Sequence, residues 1–151
     1  MVKVTTDLIK KLRDATGISI GECKRALEEA GGDMDKATAI LRERGTAIAK
    51  KKALRTLGAG YIVSYIHGGG KIGAMVEVHC ETDFVAKNEI TSNLAKEVAM
   101  QIAATNPETV EALALEPSIK DPTVTIREMV AEATQKTGER IEIGRFARFE
   151  V

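Results

Sequence analysis

The sequence predicts an α+β protein, with a helical N-terminal module followed by a small antiparallel sheet and packed helices. Three observations carry this. Between residues 5 and 45, apolar side chains recur at helical spacing in three runs, closed in turn by Gly17, Gly31 and Gly45. Between 61 and 80, two runs of β-prone residues flank Gly68-Gly69-Gly70. Two further helical stripes then lead to a tail, 141–151, that alternates like a strand.

The first helix carries Leu8, Ile9, Leu12 and Ala15 on one side, opens at Thr5 or Thr6 and stops at Gly17. The second begins with Ser19-Ile20-Gly21-Glu22, a capping-box spacing in which Ser19 and Glu22 can satisfy each other's free N–H groups. Its apolar positions are Cys23, Ala26, Leu27 and Ala30, and Gly31 closes it. Asp33 caps the third, which buries Met34, Ala37, Ile40 and Leu41 and is expected to end at Gly45. Helices this short are unstable alone in water, so the three must pack on one another. From 46 to 60, Lys50, Lys51, Lys52 and Arg55 occur without an acidic residue, and Gly58 and Gly60 break the helical texture. This reads as a basic, partly helical linker between a module over 1–45 and a core over 61–151.

In the core, Tyr61 to His67 is rich in β-branched and aromatic residues, and the glycines supply the positive φ angles of a reversal. The return strand places Ile72, Ala74, Val76, Val78 and Cys80 on one face and Gly73, Met75, Glu77, His79 and Glu81 on the other. A helical stripe follows from about Asn88 (Leu94, Ala95, Val98, Ala99, Ile102) and ends before Asn106-Pro107. Residues 107–122 contain three prolines and read as a loop. Another helix, with Ile126, Met129, Val130 and Ala133, closes at Gly138. In the tail, Phe146 is out of phase with Ile141 and Ile143, which calls for a β-bulge.

Composition narrows the function. A chain that is 44% hydrophobic and 29% charged can bury a core. Aromatics are 3% and Trp is absent, so each aromatic side chain draws scrutiny. The 22 basic and 22 acidic residues cancel, which gives no general attraction to nucleic acid or to an anionic membrane. No apolar run approaches the roughly 20 residues of a membrane span, and no apolar leader is visible. Two separated cysteines, Cys23 and Cys80, suggest a reducing interior. The cytoplasm is the expected compartment.

No catalytic constellation emerges. His79 and Cys80 are neighbours on a strand and so point to opposite faces. Cys80 and Cys23 both sit in apolar stripes, where a free Cys acts as a small hydrophobe. Two Cys and two His at these spacings fit no zinc pattern. The triple glycine lacks the Gly-Lys-Ser/Thr ending of a phosphate loop and joins two strands. The expectation is a protein that is not an enzyme and needs neither metal nor cofactor. The lysine run has no aromatic partner for base stacking, so nucleic acid is not an expected partner.

Glu81-Thr82-Asp83-Phe84-Val85-Ala86-Lys87-Asn88 departs from a bland reading. Two apolar side chains, Phe84 and Val85, are flanked by groups able to cap a turn. Residue physics alone favours a hydrophobic staple that anchors a strand-to-helix corner. The alternative is a rigid turn presenting Phe84 to a partner, as aromatic anchors on rigid elements do at interfaces.

Two long stretches bear on that choice. Glu77-Val78-His79-Cys80-Glu81-Thr82-Asp83-Phe84-Val85-Ala86-Lys87-Asn88 closely resembles the signature of the elongation factor Ts family. So does Leu12-Arg13-Asp14-Ala15-Thr16-Gly17-Ile18-Ser19-Ile20-Gly21-Glu22-Cys23-Lys24-Arg25-Ala26-Leu27. Weaker echoes are Gly31-Gly32-Asp33, Leu41-Arg42-Glu43-Arg44-Gly45, Ile66-His67 with Lys71-Ile72-Gly73, and Gly138-Glu139-Arg140-Ile141. The resemblance implies a ubiquitin-associated-like three-helix module before an α+β dimerisation core. It further implies a nucleotide exchange factor that promotes GDP release from elongation factor Tu. By that likeness Asp83 and Phe84, flanked by Thr82 and Val85, form a wedge near the nucleotide and magnesium site of the GTPase. Leu12, Arg13, Ile20 and Lys24 belong to the module's contact surface, and His67 to another contact point.

The chain also departs from the family pattern. Gly21 stands where Met is frequent, Thr91 replaces Phe and His79 replaces Asn. Arg140 and Gly144 alter the usual Gly-Glu-Asn-Ile and Arg-Arg runs. Residues 107–122 are shorter than the usual insert, and the second core half of long members is missing, which implies a homodimer. Two rival readings stay open: a helical adaptor for a peptide or ubiquitin-like surface, and RNA binding through Lys50 to Lys52.

Overall fold

The computed structural model describes residues 3–151 and is α+β, with seven helices and one three-stranded antiparallel sheet among the described residues. Three helices come first: α1 (Thr6–Thr16), α2 (Ile20–Glu29) and α3 (Met34–Lys52). Local chemistry sets their ends. Thr5, Ser19 and Asp33 each accept a hydrogen bond from a first-turn backbone N–H, and Gly17 closes α1 at φ 68°. Leu12, Cys23, Ala26, Leu27, Ala37 and Leu41 meet in a closed core with at most 1% exposure. The reciprocal capping box expected at Ser19 is only half made. Ser19 Oγ accepts from the Glu22 N–H, but the Glu22 carboxylate turns to Arg25 and to Arg44, 3.3 Å away.

α3 does not end at Gly45. It runs on to Lys52, so the first half of the expected 46–60 linker is helix. Gly45 serves close packing instead of chain termination. A Cβ there would lie 2.7 Å from Oε1 of Gln135 on α7 (Ile126–Thr137), and the two helices pack along each other. Lys52 Nζ adds a 2.7 Å hydrogen bond to the Gly138 carbonyl.

The sheet order is β1 (Ala59–His67), β2 (Ile72–Cys80), β3 (Glu142–Glu150), with β2 central. β1 and β2 form a regular hairpin, from Ala59 opposite Cys80 to His67 opposite Ile72, turned by Gly68–Gly70. Gly69 and Gly70 have φ of 79° and 73°, where a side chain would be strained. The bulge signalled by Phe146 is present. Val78 faces Ile143 and Val76 faces Phe146, so Gly144 and Arg145 together oppose Glu77. The extra residue restores Phe146 to the core side of the strand.

Ala74, Val76, Val78 and Cys80 pack against α5 (Glu89–Thr105), with Ala95, Val98, Ala99 and Ile102 in the same core. The opposite sheet face leaves Ile62, Ile66, Met75 and Phe149 exposed. Residues 107–122 are not all loop. Thr109 caps a short helix, α6 (Val110–Leu115), whose Leu113 is fully buried. Pro117 then bridges to Thr125, which opens α7 with a complete capping box to Glu128. Among the described residues, no helix is long and apolar enough to cross a membrane.

Candidate functional site

β2 ends at Cys80, and two residues later the chain enters a single helical turn, α4 (Asp83–Ala86). Thr82 is extended and caps the turn, its Oγ1 accepting from the Val85 N–H at 3.4 Å. Successive helical residues rotate by about 100°, so a turn that buries one pair of neighbours must expose the other. Val85 and Ala86 are buried, at 5% and 3% exposure. Phe84 is 82% exposed, and Asp83 is exposed beside it. The staple favoured by residue physics is therefore made by Val85 alone, and Phe84 stands clear of the protein's own core.

The corner is tied down from the far end of the sequence. The Glu139 carboxylate accepts from both the Thr82 N–H (2.9 Å) and the Thr82 hydroxyl (2.7 Å). In the reverse sense, Glu81 accepts from the Arg140 N–H at 2.7 Å and pairs with Arg55 at 3.5 Å. The Cys80 thiol donates to the Thr82 carbonyl at 3.3 Å. Burial first, then the carboxylates of Glu139, Asp83 and Glu81, holds that thiol above its ordinary pKa, so Cys80 stays protonated. Sequence reasoning missed this clamp. Its one trace was the Gly138-Glu139-Arg140-Ile141 echo.

The other expected site residues fall into separate places. Ile20 is 58% exposed, and Lys24 lies one turn later on the exposed side of α2, 3.8 Å from Glu28. Arg13 is exposed near the end of α1. Leu12 is not a surface residue: it is fully buried at the centre of the module, so the contact role implied for it is corrected to that of a core anchor. Val85 likewise anchors the turn and offers no surface. His67 is exposed, its Nδ1 3.0 Å from the Tyr65 hydroxyl. It lies at the hairpin tip, whereas the Phe84 turn follows the other end of β2, roughly 26 Å along the strand.

The bulge makes a second polar network. Glu77 accepts from the Arg145 N–H at 2.9 Å and from Arg145 Nε at 3.0 Å, and it lies 3.2 Å from His79 Nε2. The Arg145 hydrogen bonds bring the Glu77 pKa down to about 2. A Cβ on Gly144 would come within 2.8 Å of this carboxylate and closer still to the His79 ring. Two departures from the expected pattern, His79 and Gly144, are thus in contact. Part of the basic run is also engaged, since Lys52 and Arg55 hold the core while Lys50 and Lys51 face solvent. No group of three or more His, Cys, Asp or Glu gathers to hold a metal among the described residues.

Residues 81–151, which include the Phe84 turn and its clamp, match the family model described as Elongation factor TS. The chain is 41% identical to the elongation factor Ts of Heliobacterium modesticaldum, over 98% of this chain and 90% of that protein. The chain belongs to the elongation factor Ts family. The elongation factor Ts of Caldanaerobacter subterraneus is 40% identical over 97% of this chain and 96% of its own, and that of Thermotoga petrophila 38% over 99% and 97%. The alignment with the Heliobacterium elongation factor Ts spans 193 positions, more than the 151 residues here. It therefore passes over stretches of the relative that have no counterpart in this chain.

Proposed function

We propose that the chain is a guanine nucleotide exchange factor that promotes GDP release from elongation factor Tu during translation elongation, inserting Phe84 near the nucleotide and magnesium site. Family membership supports the partner. The observation that carries the wedge is the Phe84 ring, 82% exposed on a corner whose neighbouring apolar residues are buried. Leaving a phenyl ring in water forgoes about 1.5–3 kcal/mol of burial, which a partner's cleft can recover. The factor makes and breaks no covalent bond. It works in the cytoplasm, by binding the empty GTPase more tightly than the GDP-bound one, and linkage makes the weakening reciprocal.

Magnitudes divide the labour. Weakening GDP by about 10⁴-fold needs roughly 5.5 kcal/mol of differential affinity. One ring supplies about half of that at most. The remainder falls to other contacts, for which Asp83, Arg13, Ile20, Lys24 and His67 are the exposed candidates. Ile20 and Lys24 share one face of α2 and suit an apolar contact rimmed by charge.

The outer sheet face, with Ile62, Ile66, Met75 and Phe149 exposed, suits a second copy of the chain, because the stretches absent here remove material that longer relatives carry. We read the protein as a homodimer through that face. Stopped-flow release of fluorescent GDP from elongation factor Tu tests the exchange reading. The chain should accelerate release, and Phe84→Ala should lose about 100-fold of the acceleration, the rate equivalent of about 3 kcal/mol. Full acceleration by a folded Phe84→Ala protein refutes the wedge.

A further inference from the structure

Resting on the exchange reading above, we propose that Glu139 is the positioning residue of the wedge: it sets the direction of Phe84 by gripping Thr82, two residues earlier. Every polar group of Thr82 is engaged. Its N–H and hydroxyl both donate to Glu139, its carbonyl accepts from the Cys80 thiol, and its Oγ1 accepts from the Val85 N–H. Because the hydroxyl proton is committed to Glu139, an oxygen lone pair is left aimed at Val85, which is what an N-cap needs. Glu139 thus orients the cap as well as the chain before it.

The Phe84 ring itself has no such support, being 82% exposed on a four-residue turn. A one-turn helix has little stability of its own. Its direction must come from what holds its two ends and from the burial of Val85 and Ala86. The two buried side chains set the depth of the turn, and its far end is tied into α5 through Asn88, whose N–H donates to the Val85 carbonyl at 3.0 Å and whose side chain caps α5. The near end is fixed by the Glu139 carboxylate, 57 residues away in sequence, through two charge-assisted hydrogen bonds to Thr82. The reverse grip of Glu81 on the Arg140 N–H keeps the 139–140 segment in place to do so. A wedge acts through a defined approach angle, so a small loss of orientation appears in the release step more than in complex formation.

The test is a set of GDP-release titrations on elongation factor Tu, reading the maximal rate and the half-saturating concentration separately for folded variants. Glu139→Ala is expected to lower the maximal rate about tenfold with little change in half-saturation. Glu139→Gln keeps a carbonyl oxygen for the Thr82 N–H and should recover part of the loss. In the Phe84→Ala background, where no ring remains to be aimed, Glu139→Ala should add nothing. A full rate in Glu139→Ala beside a slow Phe84→Ala overturns the clamp and leaves the wedge standing. An equal further slowing in both backgrounds also overturns it, since that is the mark of general structural damage. A full rate in Phe84→Ala removes the wedge and this inference together while the exchange reading stands, and no acceleration by the wild-type chain removes the exchange reading itself. Should Glu139→Ala fail to fold, Thr82→Val carries the same cycle, with Thr82→Ser as the rescue.

Discussion

Leu12 and Phe84 are both large and apolar, yet the first is fully buried in the three-helix core and the second stands 82% exposed on a one-turn helix. Helical spacing marked Leu12 as apolar, but only the three-helix packing shows it sealed inside the module and out of any partner's reach. Phe84 and Val85 are adjacent and apolar, and nothing local says which is the anchor. The α4 turn, fixed by the Thr82 cap, decides for Val85. Thr91 is fully buried on α5 and its hydroxyl has no hydrogen-bond partner among the described residues. Thr91→Val keeps the shape and removes that orphan group, so it should stabilise the protein by about 1 kcal/mol in urea unfolding. Glu77 makes an opposite kind of contribution. Its pKa is about 2 folded against 4.5 ordinarily, so between those values the unfolded chain binds more protons. The stabilisation is complete above pH 4.5 and lost as pH falls toward 2. Glu77→Gln should flatten the loss of urea resistance across that window, and an unchanged slope would count against the Arg145 pairing.

At the scale of elements, punctuation residues were reliable when their chemistry was local. Thr5, Asp33, Gly17 and Gly138 end helices as expected. Gly45 was misleading, because a glycine read as a stop lies inside a continuous helix, close against Gln135 of a helix some ninety residues later, and spacing carries no record of such a neighbour. Similarly, the prolines of 107–122 concealed α6, which is held by its Thr109 cap and the burial of Leu113. The Phe146 phase slip, in contrast, was a local sign of a bulge and the bulge is there. Among the described residues, a reciprocal capping box opens α7, where Thr125 and Glu128 satisfy each other's N–H groups. Because α7 backs both the module and the sheet core, Thr125→Ala should lower stability by about 1 kcal/mol in one cooperative transition. Two separate melting steps would show that module and core unfold independently.

For the whole molecule, the α3–α7 contact makes the module an extension of the core, and the 46–52 segment a strut between them. The proposed contact points lie on α2, at the Phe84 turn and at the hairpin tip, and the α3–α7 packing joins the module that carries the first to the core that carries the other two. The apolar outer sheet face bears on assembly. Sedimentation at micromolar concentration should give a dimer, and Phe149→Asp, a change at a side chain 76% exposed, should give a folded monomer. How GDP release saturates tests the wedge most directly. With increasing chain over a fixed amount of GDP-bound elongation factor Tu, wild type should reach a high plateau, and Phe84→Ala a plateau about 100-fold lower at a similar half-saturating concentration. Equal plateaus, with only the half-saturation shifted, would mean that the ring merely adds affinity and does no prising.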